Sequence, residues 1–141
     1  MRIRPYQAGD KDAVIALVND TLQEIFGVPG HGLDDLHDIP RNYRHGVFLV
    51  AEDENAIIGT AATYPVDGKT WRLKRMYVRT HARGTGTARQ LLEAVERYAK
   101  EHGAERMMLT TTSEMTAAHR FYEKHGYRKT DDHPPTYEKE L

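Results

Sequence analysis

The segment Arg83-Gly84-Thr85-Gly86-Thr87-Ala88 combines the residue types and spacing of an anion-binding turn. It follows a basic, strand-like run, Leu73-Lys74-Arg75-Met76-Tyr77-Val78, and opens a helix-like run over residues 88–102. Where a strand feeds a helix through glycines, the first backbone N–H groups of the helix have no internal acceptor. The helix dipole adds positive potential at the same point. Glycine lets the backbone approach a ligand with no Cβ between them. The chemistry this arrangement suits is the holding of phosphates.

Charge placement agrees. Residues 69–92 carry seven basic side chains (Lys69, Arg72, Lys74, Arg75, Arg79, Arg83, Arg89) and no acidic one. The rest of the chain has 13 Lys and Arg against 21 Asp and Glu. A basic segment in an acidic body fits a small polyanion better than a nucleic-acid groove. A solvated basic strand edge is the alternative.

Spacing separates three glycine-rich devices. A Walker loop needs Gly-Lys-Ser/Thr at its end, and no lysine follows Gly86. A dinucleotide fingerprint needs a third small residue, where Arg89 stands, and an acid at the next strand end, where residues 106–112 end in threonines. The pattern Gln/Arg-x-x-Gly-x-Gly/Ala is met by Arg83, Gly86 and Ala88. With it, Leu73-Lys74-Arg75-Met76-Tyr77-Val78 resembles a fourth strand, and Ala118-His119-Arg120-Phe121-Tyr122-Glu123-Lys124-His125-Gly126-Tyr127 resembles the signature A-x-x-F/L-Y-x-x-x-G-F/Y. On these residues the chain resembles the GNAT superfamily of N-acetyltransferases, from Ile3 to about Glu138.

That resemblance implies a set of roles. The turn Arg83, Gly84, Thr85, Gly86, Thr87 and Ala88 would hold the pyrophosphate of acetyl-CoA, largely through main-chain N–H groups. Met76, Tyr77 and Val78 would hold the pantetheine arm and acetyl carbonyl. Tyr122 would serve as general acid toward the departing thiolate; a phenol is protonated at neutral pH. Phe121 reads as a packing aromatic. Several relatives have a glutamate where this chain has Arg72, and a guanidinium cannot act as a base. Glu114, His119 and Glu52 are then candidate bases, while Arg72 could clamp an acceptor carboxylate or phosphate. The resemblance places acceptor choice in residues 25–45, which include Tyr43. Thr110, Thr111, Thr112 and Ser113 stand near where many relatives have an asparagine that holds the pantetheine amide; their hydroxyls can make similar hydrogen bonds.

These residues need elements to position them. Ile3-Arg4 reads as a strand ended by Pro5. Asp10 is placed to cap a helix whose apolar residues Ala13, Val14, Leu17, Val18, Leu22 and Ile25 recur at helical spacing. Gly27, Pro29, Gly30 and Gly32 break it, and a second short helix is expected over residues 33–39, before Pro40. Strands follow over residues 47–51, 57–64 and 71–78, with Asp53, Glu54 and Asn55 as hairpin turn. A helix from about Thr87 to Gly103, a strand over 106–111, a helix over 115–124 and strands over 127–129 and 136–139 complete the chain. The order is β-α-α-β-β-β-α-β-α-β-β, an α/β class with a mixed, mostly antiparallel central sheet. It matches the GNAT fold, and the resemblance implies that the fourth and fifth strands splay to admit the cofactor.

Composition sets outer limits. The 141 residues, 39% hydrophobic and 29% charged, suit one domain spanning 1–141. No run approaches the roughly 20 apolar residues of a membrane helix, and no signal peptide is visible, so the cytoplasm is the expected location. The absence of cysteine excludes disulfides, thiolate metal sites and a cysteinyl acyl-enzyme. None of the eight histidines makes a helical ligand pair, so no metal site is expected. A net charge of −1 argues against broad nucleic-acid or membrane binding. The expected activity is acetyl-CoA-dependent transfer to the primary amine of a small molecule, directly within a ternary complex. A non-catalytic acyl-CoA-binding module and a protein or peptide N-acetyltransferase are the alternatives. The resemblance also makes a homodimer plausible.

Overall fold

Eleven helices and strands, joined by short 3-10 turns, follow one another in the computed structural model, which describes residues 1–27 and 32–141. Their order is β1 (Arg2–Pro5), α1 (Lys11–Phe26), α2 (Ile39–Asn42), β2 (Val47–Asp53), β3 (Ala56–Pro65), β4 (Thr70–Val78), α3 (Thr87–Glu101), β5 (Arg106–Thr110), α4 (Thr116–Lys124), β6 (Arg128–Asp132) and β7 (Pro135–Glu140). This is the order read from the sequence. Pro29 and Gly30, expected to break the first helix, lie outside the described residues. Among the described residues no helix is long and apolar enough to cross a membrane.

The strands form one sheet in the order β1-β2-β3-β4-β5-β7-β6. Only β4 and β5 run parallel, because α3 crosses between them and returns the chain to the same end. The β2–β3 hairpin turns on Glu54 and Asn55, both at positive φ, the backbone that matches the twist of a two-residue hairpin.

Helices cover both faces, so strands β2 and β3 alternate between two apolar cores. Leu49, Ala51, Ala61, Trp71 and Leu73 pack with Leu91, Leu92, Val95 and Ala99 of α3. Phe48, Val50 and Ala62 pack with Val14, Leu17 and Val18 of α1 and with Leu36, Ile39 and Tyr43 around α2. A sheet buried on both faces reads as near-continuous apolar strands.

Two local expectations are corrected. Asp10 makes no side-chain cap on α1. Its carboxylate instead accepts from Arg4 at 2.7 and 2.9 Å and from the Gln7 N–H at 2.8 Å, since a bidentate guanidinium outcompetes a neutral amide. The second helix does not stop before Pro40. A 3-10 turn over Asp34–Asp38 runs into α2, whose first turn contains Pro40. A proline there removes only an N–H that has no helical acceptor.

The feature that shapes the site is a β-bulge in β4. Thr60 pairs with Tyr77 and Ala62 with Lys74, so β4 holds one residue more than β3 across this step. Arg75 occupies it in the left-handed region, at φ 54°. Its carbonyl accepts from Thr60 Oγ1 at 2.7 Å. Its guanidinium donates from Nε to Asp35 at 3.1 Å, from Nη2 to the same carboxylate, and to the Gly32 carbonyl at 2.7 Å. Tyr43 donates its hydroxyl to Asp35 at 2.5 Å. Burial alone would lift the Asp35 carboxyl, but hydrogen bonds from Arg75 and Tyr43 outweigh it and hold its pKa below the ordinary value.

Asp35→Asn is expected to destabilise the fold by about 3 kcal/mol, because the Arg75 side chain, 9% exposed, keeps its charge without a counter-ion. A carboxyl depressed on folding contributes stability that is present above its unfolded pKa and is lost as pH falls through the folded value. Urea melts should therefore show the gap between wild type and variant shrinking below a pH of about 3.8.

Candidate active site

Strands β4 and β5 pair only at Thr70–Arg106, Trp71–Met107 and Arg72–Met108. Both continue beyond that point, β4 to Val78 and β5 to Thr110, with no further pairing between them. The strands part just before the bulge, because a bulge bends its strand and breaks the ladder. The parting leaves a continuous cleft. Its narrow end, about 140 Å³, lies between Lys74, Met76 and Tyr77 on one side and Leu109, Thr110, Thr111 and Tyr122 on the other. Its wide part, about 620 Å³, runs from Thr21 and Ile25 of α1 past Met76, Tyr77 and Val78 to Arg83, Gly84, Gly86 and Ala88. There it meets Ala118, Phe121, Tyr122 and His125 of α4.

The glycine turn is held open from behind. Arg83 donates from Nε to the Val78 carbonyl at 3.1 Å and pairs with Glu24 at 3.2 Å. Thr85 donates its hydroxyl to the Ala82 carbonyl and lies 2.9 Å from the Thr87 hydroxyl. Gly84 and Gly86 sit at φ 77° and 88°, backbone that L side chains rarely adopt. After the turn, the first backbone donor is Gln90, to the Gly86 carbonyl at 3.0 Å. Among the described residues no acceptor takes the N–H groups of Gly84, Thr85, Gly86, Thr87, Ala88 or Arg89. Six unpaired donors and the dipole of the 15-residue α3 therefore stand at the cleft.

The side-chain charges behave differently from the sequence reading. Five of the seven cations of residues 69–92 have carboxylate partners: Lys69 with Glu105, Arg75 with Asp35, Arg79 with Asp20, Arg83 with Glu24 and Arg89 with Glu93. The local excess of positive charge is largely neutralised by acids brought from elsewhere in the chain. What the turn itself leaves free is its backbone N–H groups.

Tyr122, 7% exposed, packs against Phe121 and Tyr127. Its hydroxyl has no hydrogen-bond partner among the described residues, and no buried side-chain N or O there lacks one. The hydroxyl therefore opens onto the cleft. Burial, with a smaller contribution from Tyr77, raises its pKa above the ordinary phenol value. It stays protonated and available as a donor.

The structure thus brings together Met76, Tyr77, Val78, Arg83, Gly84, Gly86, Ala88 and Tyr122. Thr85 and Thr87 brace the turn with their hydroxyls, Thr87 buried and Thr85 at the surface. Tyr43 stands apart as a correction to the sequence reading: it is 5% exposed in the α1–α2 core, with its hydroxyl committed to Asp35. Arg72 lies at the last β4–β5 pair, its Nε 3.4 Å from Met108 Sδ. Of the candidate bases, Glu114 lines the wide cleft. Glu52 is committed to Arg2 and Arg4 at the β1 edge. His119 donates from Nε2 to the Thr112 carbonyl at 2.8 Å, tying down the loop before α4. Among the described residues no three His, Asp or Glu side chains gather as metal ligands. Lys74, Met115 and the Arg75 bulge were missed in the sequence, since neither composition nor alternation marks an extra residue in a strand.

Comparison with known proteins gives a consistent result. The Acetyltransferase (GNAT) family model matches residues 13–127. Human N-acetyltransferase 8B is 33% identical over 104 residues, which cover 68% of this chain and 46% of that protein. An uncharacterized N-acetyltransferase of Schizosaccharomyces pombe is 33% identical over 129 residues, covering 86% and 78%. The chain thus spans about half the length of human N-acetyltransferase 8B and most of the yeast protein. A GNAT-family acetyltransferase structure from Staphylococcus aureus superposes with a TM-score of 0.93 at 23% identity, covering 99% of this chain and 98% of that one. An N-acetyltransferase from Thermoplasma acidophilum, solved in complex with coenzyme A, superposes at 0.86 with 19% identity and the same coverage.

The buried phenol is testable by absorbance titration near 295 nm. Exposed tyrosines should ionise near pH 10, whereas the difference between wild type and Tyr122→Phe should stay flat there and appear only at higher pH or on unfolding. A difference signal centred at pH 10 would contradict the burial of this side chain.

Proposed function

The chain belongs to the GNAT acetyltransferase family, and from that premise we propose that it moves an acetyl group from acetyl-CoA to the primary amine of a small molecule, directly within a ternary complex. The observation that carries this reading is the single cleft shared by the unpaired N–H groups of the turn, the unpaired edge of β4 and the Tyr122 hydroxyl. Acetyl-CoA supplies the acyl group as a thioester.

The chain's own residues supply the rest. The N–H groups of Gly84, Thr85, Gly86, Thr87 and Ala88 receive the pyrophosphate, with Arg83 holding the turn to the end of β4. The Met76–Val78 stretch turns the backbone groups of its alternate residues to the side of β4 that has no strand neighbour, where an extended arm takes the place of β5. An N–H of this edge polarises the acetyl carbonyl as negative charge develops on its oxygen. The acceptor nitrogen forms its bond to the carbonyl carbon as the carbon–sulfur bond breaks. Tyr122 gives its proton to the departing sulfur, and the proton released from nitrogen passes to solvent. Arg72 stands on the acceptor side, and Tyr43 acts indirectly by holding Asp35 against Arg75.

Thiol release from acetyl-CoA across a panel of amino acids, polyamines, aminoglycosides and lysine peptides tests the reading, with no thiol background from a chain that lacks cysteine. Amine-dependent release is expected, and Tyr122→Phe should lower kcat by about 100-fold while calorimetry shows acetyl-CoA affinity almost unchanged. Tight acetyl-CoA binding with no release for any amine would sink the transferase reading and leave an acyl-CoA-binding module. Release with lysine peptides alone would move the acceptor class to proteins.

Gly86→Ala separates cofactor binding from chemistry. A side chain at φ 88° strains the turn by about 1–2 kcal/mol, so the Kd for acetyl-CoA should rise roughly tenfold. Unchanged affinity in a folded variant would remove the turn from the binding site.

A further inference from the structure

Among the described residues two cations of the basic segment, Arg72 and Lys74, have no carboxylate within ion-pair distance. Arg72 and Lys74 are two residues apart on β4, so they share a face of the sheet. Their neighbours Trp71 and Leu73 point into the α3 core, which places Arg72 and Lys74 on the opposite face, toward α1 and α2. Arg72 marks the last β4–β5 pair, and Lys74 lines the narrow end of the cleft with Tyr122, Thr110 and Thr111.

The carboxylates nearby are committed elsewhere. Asp35 is held by Arg75 and Tyr43, and Glu138 lies 3.8 Å from Arg106. The hydrogen bond found for Arg72 is from Nε to the Met108 sulfur, a weak acceptor that leaves the Nη groups unused. Lys74 has no hydrogen-bond or ion-pair partner among the described residues; burial, more than the repulsion of Arg75, lowers its pKa, and the Asp35 carboxylate offsets this only in part. A half-buried cation with no carboxylate in contact is costly, and Lys74 at the narrow end of the cleft, with Arg72 two residues before it on the same face of β4, forms a place that an anion would stabilise. A planar guanidinium fork and one ammonium match the two oxygens of a carboxylate.

We propose that Arg72 and Lys74 form a subsite that grips the carboxylate of the acceptor, so that the amine acetylated is that of an amino acid or another small amino carboxylate. This rests on the acetyltransferase reading above and narrows its acceptor class. The turn and α3 dipole hold one anion, the pyrophosphate, at the wide end of the cleft. The Arg72–Lys74 pair would hold a second at the narrow end, with Tyr122 between them.

The test uses product-like ligands, so that it does not depend on turnover. The CoA-saturated protein is titrated calorimetrically with N-acetyl derivatives of the common amino acids and with the α-carboxamide of each. The best acid should bind at least about tenfold tighter than its amide, as a charge-assisted hydrogen bond predicts. Arg72→Gln and Lys74→Gln should each abolish that ratio with the Kd for CoA changed less than about threefold, and Arg72→Lys should restore part of it. Equal binding of acids and amides, binding of neither, or a ratio that survives in both Gln variants would overturn the proposal. Thiol-release assays run in parallel keep the two readings apart. Acid-over-amide discrimination without any acetyl transfer removes the transferase reading and leaves the subsite standing; transfer to amines regardless of a carboxylate removes the subsite alone.

Discussion

The bulge at Arg75 is the constraint on which the cleft depends. One extra residue in β4 holds a left-handed backbone that a non-glycine side chain adopts only at a cost. That cost is met by contacts from three directions: Thr60 on the carbonyl, and Asp35 and the Gly32 carbonyl on the guanidinium, with Tyr43 behind Asp35. The α1–α2 side of the molecule is thereby tied to the strand whose bend parts the sheet. A regular ladder along β4 and β5 would satisfy every backbone group and leave no room for a ligand. The interrupted ladder leaves backbone donors and acceptors facing the gap.

The same logic governs charge. A basic segment of seven side chains would be expected to draw an anion by net charge alone. Asp20 and Glu24 on α1, Asp35, Glu93 and Glu105 turn five of those cations into structural ties. Such pairs, mostly at the surface, are individually weak, yet they remove the cations from competition for ligand. What stays free at the glycine turn is its main-chain N–H groups, and these do not depend on side-chain identity. Of the two cations with no carboxylate in contact among the described residues, Arg72 lies at the last β4–β5 pair and Lys74 lines the narrow end of the cleft.

Much of this site was legible in the chain because it is local. Gly84 and Gly86 are readable as left-handed positions between a strand and a helix, and Tyr122 as part of a short motif ahead of Gly126-Tyr127. The errors had local causes too. Asp10 reads as a cap because it precedes a helix, but Arg4, six residues earlier, holds it more strongly. Pro40 reads as a stop in the sequence, whereas a proline in the first turn of a helix costs nothing. Tyr43 was placed among acceptor residues by its position in the segment, and burial against Phe48 and Tyr64 could not be read from that position.

The element order, the hairpin turn at Glu54-Asn55, the amphipathic stripe of α3 and the left-handed glycine turn before it were determined by the sequence alone, since each arises from residues within a few positions of one another. The tertiary structure decided where the ladder between β4 and β5 ends, which cations keep their charge free, and which tyrosine faces the cleft. Those outcomes depend on partners 40 to 59 residues apart, such as Asp35 with Arg75 and Asp20 with Arg79. Only closure of the sheet brings such residues within reach of one another, and periodicity carries no record of distance across it.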